Sequence, residues 1–377
     1  MKLAAVFNPV RAIAALFPAV FVSLAVMASS SWAIPTGMAE KGWEDAIIQG
    51  IAKVSNTDYE DGLKLFDEYI KAFPLNGEGY FYFAVALQEK IQKLNDLGEL
   101  ERFNKYSATC KRIFEAKLDK NPDDTIARMY LGAMNGYIGL VEGRQRNLLQ
   151  AFMRAVDAKS LLERAYKERP DIADTGFGLG MIYYFASRKS SEVGGMTEWI
   201  ITKFITNGRD MRNEGVEMIH QAVEGNALSK DYARAAIMWI RLYEKNYSKA
   251  HEMALDIAKR YPKDAGSRWV LGRVALVNKQ CAEAQSRFGE AVEILIRRGL
   301  PPARYQDVEI GRSFAMLCES IDHKEWEEAA RLTRTIDEWL KRDPKITLEY
   351  QDEKNLIAFW KRELDTARRS QRFITGP

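Results

Sequence analysis

The sequence predicts an all-α fold: a right-handed α-solenoid of about seven helical hairpins with a C-terminal capping helix. Three observations lead there. Tyr247, Ala250, Ala254 and Pro262 recur as Cys281, Ala284, Phe288 and Ile296, an offset of 34 residues each time, the period of stacked helical pairs. A large and a small residue stand side by side at Leu131-Gly132 and Leu271-Gly272, where two helices must come close. Pro74, Pro122, Pro170 and Pro262 fall where second helices should stop, because proline cannot continue a helix.

Residues 1–33 stand outside this pattern. Lys2 and Arg11 precede or open an apolar run, Ile13 to Ala28, and Ser31-Trp32-Ala33 follows it. That is the layout of a signal peptide cleaved near Ala33-Ile34, too short and wrongly flanked for a membrane span. The expected protein is therefore exported, periplasmic or otherwise extracytoplasmic. Without Lys2 and Arg11, 53 basic residues face 52 acidic ones, so nothing electrostatic points to nucleic acid. Apolar residues make up 47 % of the chain, enough for a large buried interior.

The repeats follow in order over 34–298. The first hairpin runs from Trp43 to Pro74, with Tyr59, Gly62, Phe66 and Tyr69 on its second helix. Tyr80, Phe83, Ala84 and Leu87 open the second, which ends at Pro122. Pro74, Pro122 and Pro170 are spaced by 48 residues, 14 beyond the basic period. Fourteen residues are about four helical turns, so these hairpins should be taller by about two turns per helix. The third begins at Thr125 and carries Ala158, Leu162 and Ala165. The fourth opens with Gly176-Phe177-Gly178-Leu179-Gly180, its second helix lying around Gly215, Ile219 and Ala222. An insertion at about 186–210 separates those two helices. In it Trp199, Ile200, Ile201, Phe204 and Ile205 give a short helix one apolar side; packing is expected for it, and peripheral membrane contact through 197–206 is not favoured. Over 299–377, Pro301-Pro302 breaks the chain, a last hairpin spans Ile310 to Pro344, and 346–370 reads as the cap, with a frayed tail after it.

The 34-residue recurrence with its large–small pattern resembles the tetratricopeptide repeat (TPR) family over most of the chain. A narrower resemblance rests on Glu142-Gly143-Arg144, on Gly178-Leu179-Gly180-Met181-Ile182-Tyr183-Tyr184, and on Gly208-Arg209-Asp210 leading to Glu214-Gly215. These are spaced as in the TPR subfamily of inclusion-body and lipid-droplet handling proteins with exported bacterial relatives. The first resemblance implies binding rather than chemistry. The second tilts the cargo towards the apolar.

No catalytic constellation emerges, and the protein is expected not to be an enzyme. His220, His251 and His323 lie on different helices, and Glu217-x-x-His220 lacks the second such motif that a di-iron bundle needs. The glycines at 176, 178 and 180 follow no strand, so they do not make a phosphate loop. No metal site and no cofactor is expected. Cys110, Cys281 and Cys318 are read as buried thiols; one pair could be oxidised, but no pairing can be deduced from three.

In a TPR-like stack the first helices line the concave wall. Counting from the large–small pairs places Ile47, Ile51, Phe81, Val85, Ile126 and Met129 there. Phe177, Met181, Tyr184, Tyr232, Trp239, Trp269, Arg273 and Phe314 continue the wall. It is poor in charge and rich in aromatics, so either the repeats fill their own interior or the wall binds something. The expected function is an adaptor holding a protein or peptide partner in the cell envelope, the alternative a carrier or sensor of a small apolar ligand. Glu142, Arg144, Arg209, Asp210 and Arg212 are expected to form a structural ion-pair cluster tying the insertion to the stack.

Overall fold

In the computed structural model the described residues are 39–342, apart from 95 and 194, together with 362, 365 and 366. The expected signal peptide and most of the expected capping helix and tail lie outside them. The described chain is all-α, with no strand among the described residues. Among the described residues, fifteen α-helices follow one another. They are α1 (Glu44–Ser55), α2 (Tyr59–Ala72), α3 (Gly77–Leu94), α4 (Leu100–Lys120) and α5 (Thr125–Arg144). Next come α6 (Leu148–Glu168), α7 (Ala173–Val193), α8 (Gly195–Phe204), α9 (Arg212–Glu224) and α10 (Lys230–Tyr243). The last five are α11 (Tyr247–Arg260), α12 (Ala265–Val277), α13 (Cys281–Arg297), α14 (Gln306–Asp322) and α15 (Trp326–Arg342). As the proline spacing predicts, α4, α5 and α6 run to 21, 20 and 21 residues, against 14 and 13 in α11 and α12.

The chain forms two compact units, divided after Ile240. In the first, consecutive helices from α1 to α8 pack on each other, α7 packs on α9, and α1, α3, α5 and α7 also touch one another in turn, each packing on the next in that row. This row is the inner layer that the first helices of a hairpin stack would make. In the second unit α11 to α15 pack sequentially, with α12 also touching α14.

The large–small pairs work as expected. A Cβ on Gly132 would stand 2.9 Å from Leu162 Cγ, and one on Gly272 would stand 3.0 Å from the Phe288 ring. The tightest approach to backbone joins α7 to α9, where a Cβ on Gly180 would fall 2.5 Å from the carbonyl oxygen of Gly215. Side-chain caps fix several helix starts: Asp124 accepts from the Ala127 amide at 2.9 Å and Asp264 from Ser267 at 2.8 Å.

A recurring turn separates paired helices. Thr57, Arg146, Lys245, Lys279 and Lys324 all have positive φ, between 59 and 66°. At each, the residue's own amide donates three positions back, as Lys279 does to Leu276. The amide after it donates five positions back, as Gln280 does to Ala275. This is the Schellman closure of a helix end, here made without glycine.

The reading of three buried thiols needs correction. Cys281, opening α13, is bonded to Cys318 on α14, with Cα atoms 5.5 Å apart. Packing the two helices side by side brings both sulfurs to one place, which spacing in the chain cannot reveal. Cys110 is free and wholly buried in the first unit, and burial pushes its thiol well above the usual range.

Candidate functional site

The first unit contains a cavity of about 220 Å³. Its wall is built mainly from the row of first helices, to which α6 adds Ala155 and Leu162, the segment before α10 Leu228 and Ser229, the start of α10 Tyr232, and the residue just past α8 Ile205. Phe81, Val85, Met129, Phe177, Met181 and Ile182 give it an apolar character. Among the described residues that line it, none is Lys, Arg or His.

The predicted concave wall divides on inspection. Phe81, Phe177, Met181 and Tyr232 line the cavity together with Ile51, Val85 and Met129. Tyr184 and Trp239 are buried in the first unit without lining it. In the second unit Trp269 and Phe314 are buried, and Arg273 lays its guanidinium over the Trp269 ring, 4.9 Å from the centroid. These two aromatics serve as core there.

Several lining residues go beyond the predicted wall. Gln88, Glu89 and Gln92 come from the last turns of α3, Tyr137 and Leu140 from the late turns of α5, and Asp174 from the first turn of α7. Tyr137 and Leu140 carry the Met129–Ala133 stripe on at helical spacing through the extra turns, so the longer proline spacing was their signal. Asp174 and Ser229 had none, since they meet only through the chain reversal ahead of α10.

The polar groups are specific. Asp174 accepts from the amides of Ser229 at 2.7 Å and Leu228 at 3.1 Å. Burial pushes its carboxyl up despite these bonds. Glu89 pairs with Lys93 at 2.5 Å, both side chains being buried. The Tyr82 and Tyr130 hydroxyls meet at 3.1 Å. Burial raises both phenols, as it does Tyr137, on which the negative charges of Glu89 and Asp174 also act.

The insertion behaves differently from expectation. Its helix α8 does not keep one apolar side against the stack. Ile201, with Ile205 just beyond the helix, turns inward onto Leu148, Ala155 and Ala186, while Trp199 and Phe204 turn outward. Trp199 is 56 % and Met196 57 % exposed. Phe204 meets Phe152 of α6 edge to face, with centroids 6.3 Å apart, and exposed Leu149 and Met153 flank Phe152 in the chain. Lys203 lies over Trp199 at 4.8 Å. Trp199 and Ile201 stand two apart, about 200° around a helix, so both cannot face one neighbour.

Of the expected charge cluster, Asp210 holds Arg212 through Nε at 2.9 Å and Arg209 faces Glu214 at 3.8 Å. Glu142 accepts from Asn147 at 2.7 Å. Arg144 is partly buried, and the desolvation this brings lowers its pKa. These described pairs are local, each within one turn or helix start. Among the described residues, one group of potential metal ligands comes together: Cys281, Cys318 and Asp322. With the sulfurs joined as a disulfide, neither is the thiolate that binds metal. No helix among the described residues is long and apolar enough to cross a membrane.

No protein-family model matches the chain, and no curated protein matches it.

Proposed function

We propose that this protein is an exported, non-catalytic carrier or sensor that holds a small apolar ligand in the cavity of its first unit. The cavity carries this reading. Its lining is mostly aliphatic and aromatic, so water held there finds few hydrogen-bond partners. An apolar ligand would displace that water and meet aromatic and aliphatic contacts on rigid helices. Five turns of one geometry support a right-handed solenoid of TPR-like hairpins as the scaffold. Export rests on the signal-like pattern of residues 1–33. Native mass spectrometry of the chain recovered from its own compartment tests the reading. An added mass of lipid or other apolar type supports it. A bare chain that neither releases nor takes up any apolar compound refutes it.

A second reading, an adaptor for a protein partner, is favoured by the apolar patch on α6 and α8 rather than by the inner wall. Trp199 and Phe204 would be its anchors. Trp199→Ser with Phe204→Ser should then abolish co-purification of the partner while leaving uptake of an apolar dye unchanged.

A further inference from the structure

The cavity wall is apolar but not featureless, and its polar groups share one character. Among the described lining residues, the charged side chains are two carboxylic acids, Asp174 and Glu89. The remaining polar side chains are the amides of Gln88 and Gln92, the Ser229 hydroxyl and the phenols of Tyr82, Tyr130, Tyr137 and Tyr232, all neutral. Lys93, which does not line the cavity, neutralises Glu89 through their 2.5 Å contact. Asp174 has no such counter-charge among the described residues: its hydrogen bonds come from the backbone amides of Leu228 and Ser229 and from the Ser229 side chain.

From this we infer that the cavity selects ligands whose apolar body carries a hydrogen-bond donor, an amine or hydroxyl, and discriminates against carboxylates such as fatty acids. The inference rests on the apolar-ligand reading above and narrows it. The physical reason is desolvation. A carboxylate leaving water for this wall would meet the Asp174 carboxyl and the Lys93-paired Glu89, with no lysine, arginine or histidine among the described lining residues, so neither its hydration nor its charge would be replaced. An ammonium or hydroxyl would find acceptors in Asp174 and in the side-chain oxygens of Gln88 and Gln92. An unsubstituted hydrocarbon would fill the space but leave those acceptors without the donors that water gives them.

The test uses the full chain at pH 7 and a matched set of probes: 1-octylamine, 1-octanol, octanoate and octane, each displacing Nile red from the protein. Octylamine and octanol should displace the dye at concentrations at least tenfold below octanoate. Equal or tighter binding of octanoate overturns the inference while leaving the apolar-ligand reading standing. Failure of all four probes, with no dye bound, overturns that reading and the inference with it. Asp174→Asn locates the effect: the preference for octylamine over octanol should shrink several-fold, with octanol affinity held. An unchanged preference in a folded variant overturns the role given to Asp174. The ranking of probes on the unaltered chain decides the selectivity whether or not that variant folds.

Discussion

Ala133 lines the cavity from the middle of α5, so Ala133→Leu asks whether the space is real. Three added carbons placed against an apolar wall are worth about 0.8 kcal/mol each, or roughly 2.4 kcal/mol together. Ordering a leucine side chain gives back about 0.5–1 kcal/mol, leaving a net gain near 1.5 kcal/mol. In a unit of this size 1 kcal/mol corresponds to roughly 2–4 °C, so the melting transition of the first unit should rise by roughly 3–6 °C. Differential scanning calorimetry reads the shift. The same side chain competes with a ligand for volume, so octanol affinity should fall about tenfold in dye displacement. A site already packed would behave oppositely, since forcing methylenes into a full core costs about 1–3 kcal/mol. A lower melting temperature in Ala133→Leu would refute the cavity as a space for ligand.

Gly180→Ala puts a methyl 2.5 Å from the Gly215 carbonyl; separating α7 from α9 should cost roughly 1–3 kcal/mol in urea unfolding, and a neutral result would mean the two helices are further apart than described. Lys279→Gly relieves a positive φ of 60° and should raise stability by about 1 kcal/mol; a loss would show that the turn geometry is wrong. Reducing Cys281–Cys318, whose positions are 37 residues apart, should lower the stability of the second unit by about 4 kcal/mol on loop entropy. That shift, read by calorimetry with and without reductant, also separates the transitions of the two units. Asp174 has a raised folded carboxyl pKa, so the unfolded chain loses this proton first. Its contribution to stability is therefore largest below the ordinary aspartate value of about 3.9 and declines as pH rises through the raised one. Between pH 4 and 7 the wild type should lose stability relative to Asp174→Asn, and a difference that stays flat or runs the other way would contradict the assignment.

The hairpin order, the tall middle repeats and the close glycine contacts were legible because each depends on residues a fixed distance apart in the chain. Thr125 opens its helix where the reading placed it, and Gly132 and Gly272 meet their large partners. The cavity was half legible. Phe81, Phe177, Met181 and Tyr232 follow from helical phase, whereas Trp239, Trp269 and Phe314 share that phase yet are core. Phase gives a direction; whether a gap or a neighbour lies there depends on how far apart the packed helices stand. Asp174 and the disulfide were hidden for a related reason, as both arise from segments brought together only by the completed fold. The outward Trp199 belongs with them: its helix has no counterpart one repeat away from which to read its facing.

The odd cysteine bears on the order in which the chain acquires its cross-link. In an oxidising medium Cys110 is a rival partner for Cys281 until Cys318 has been synthesised. The rival loop is roughly five times longer than the native one, which disfavours it by only about 1.4 kcal/mol, or tenfold. That margin is thin for a nascent chain. Cys110, however, belongs to the first unit and has no exposed surface once that unit is folded. Early closure of the N-terminal helices would thus withdraw the competing thiol before the other two emerge, making vectorial folding the safeguard of correct oxidation.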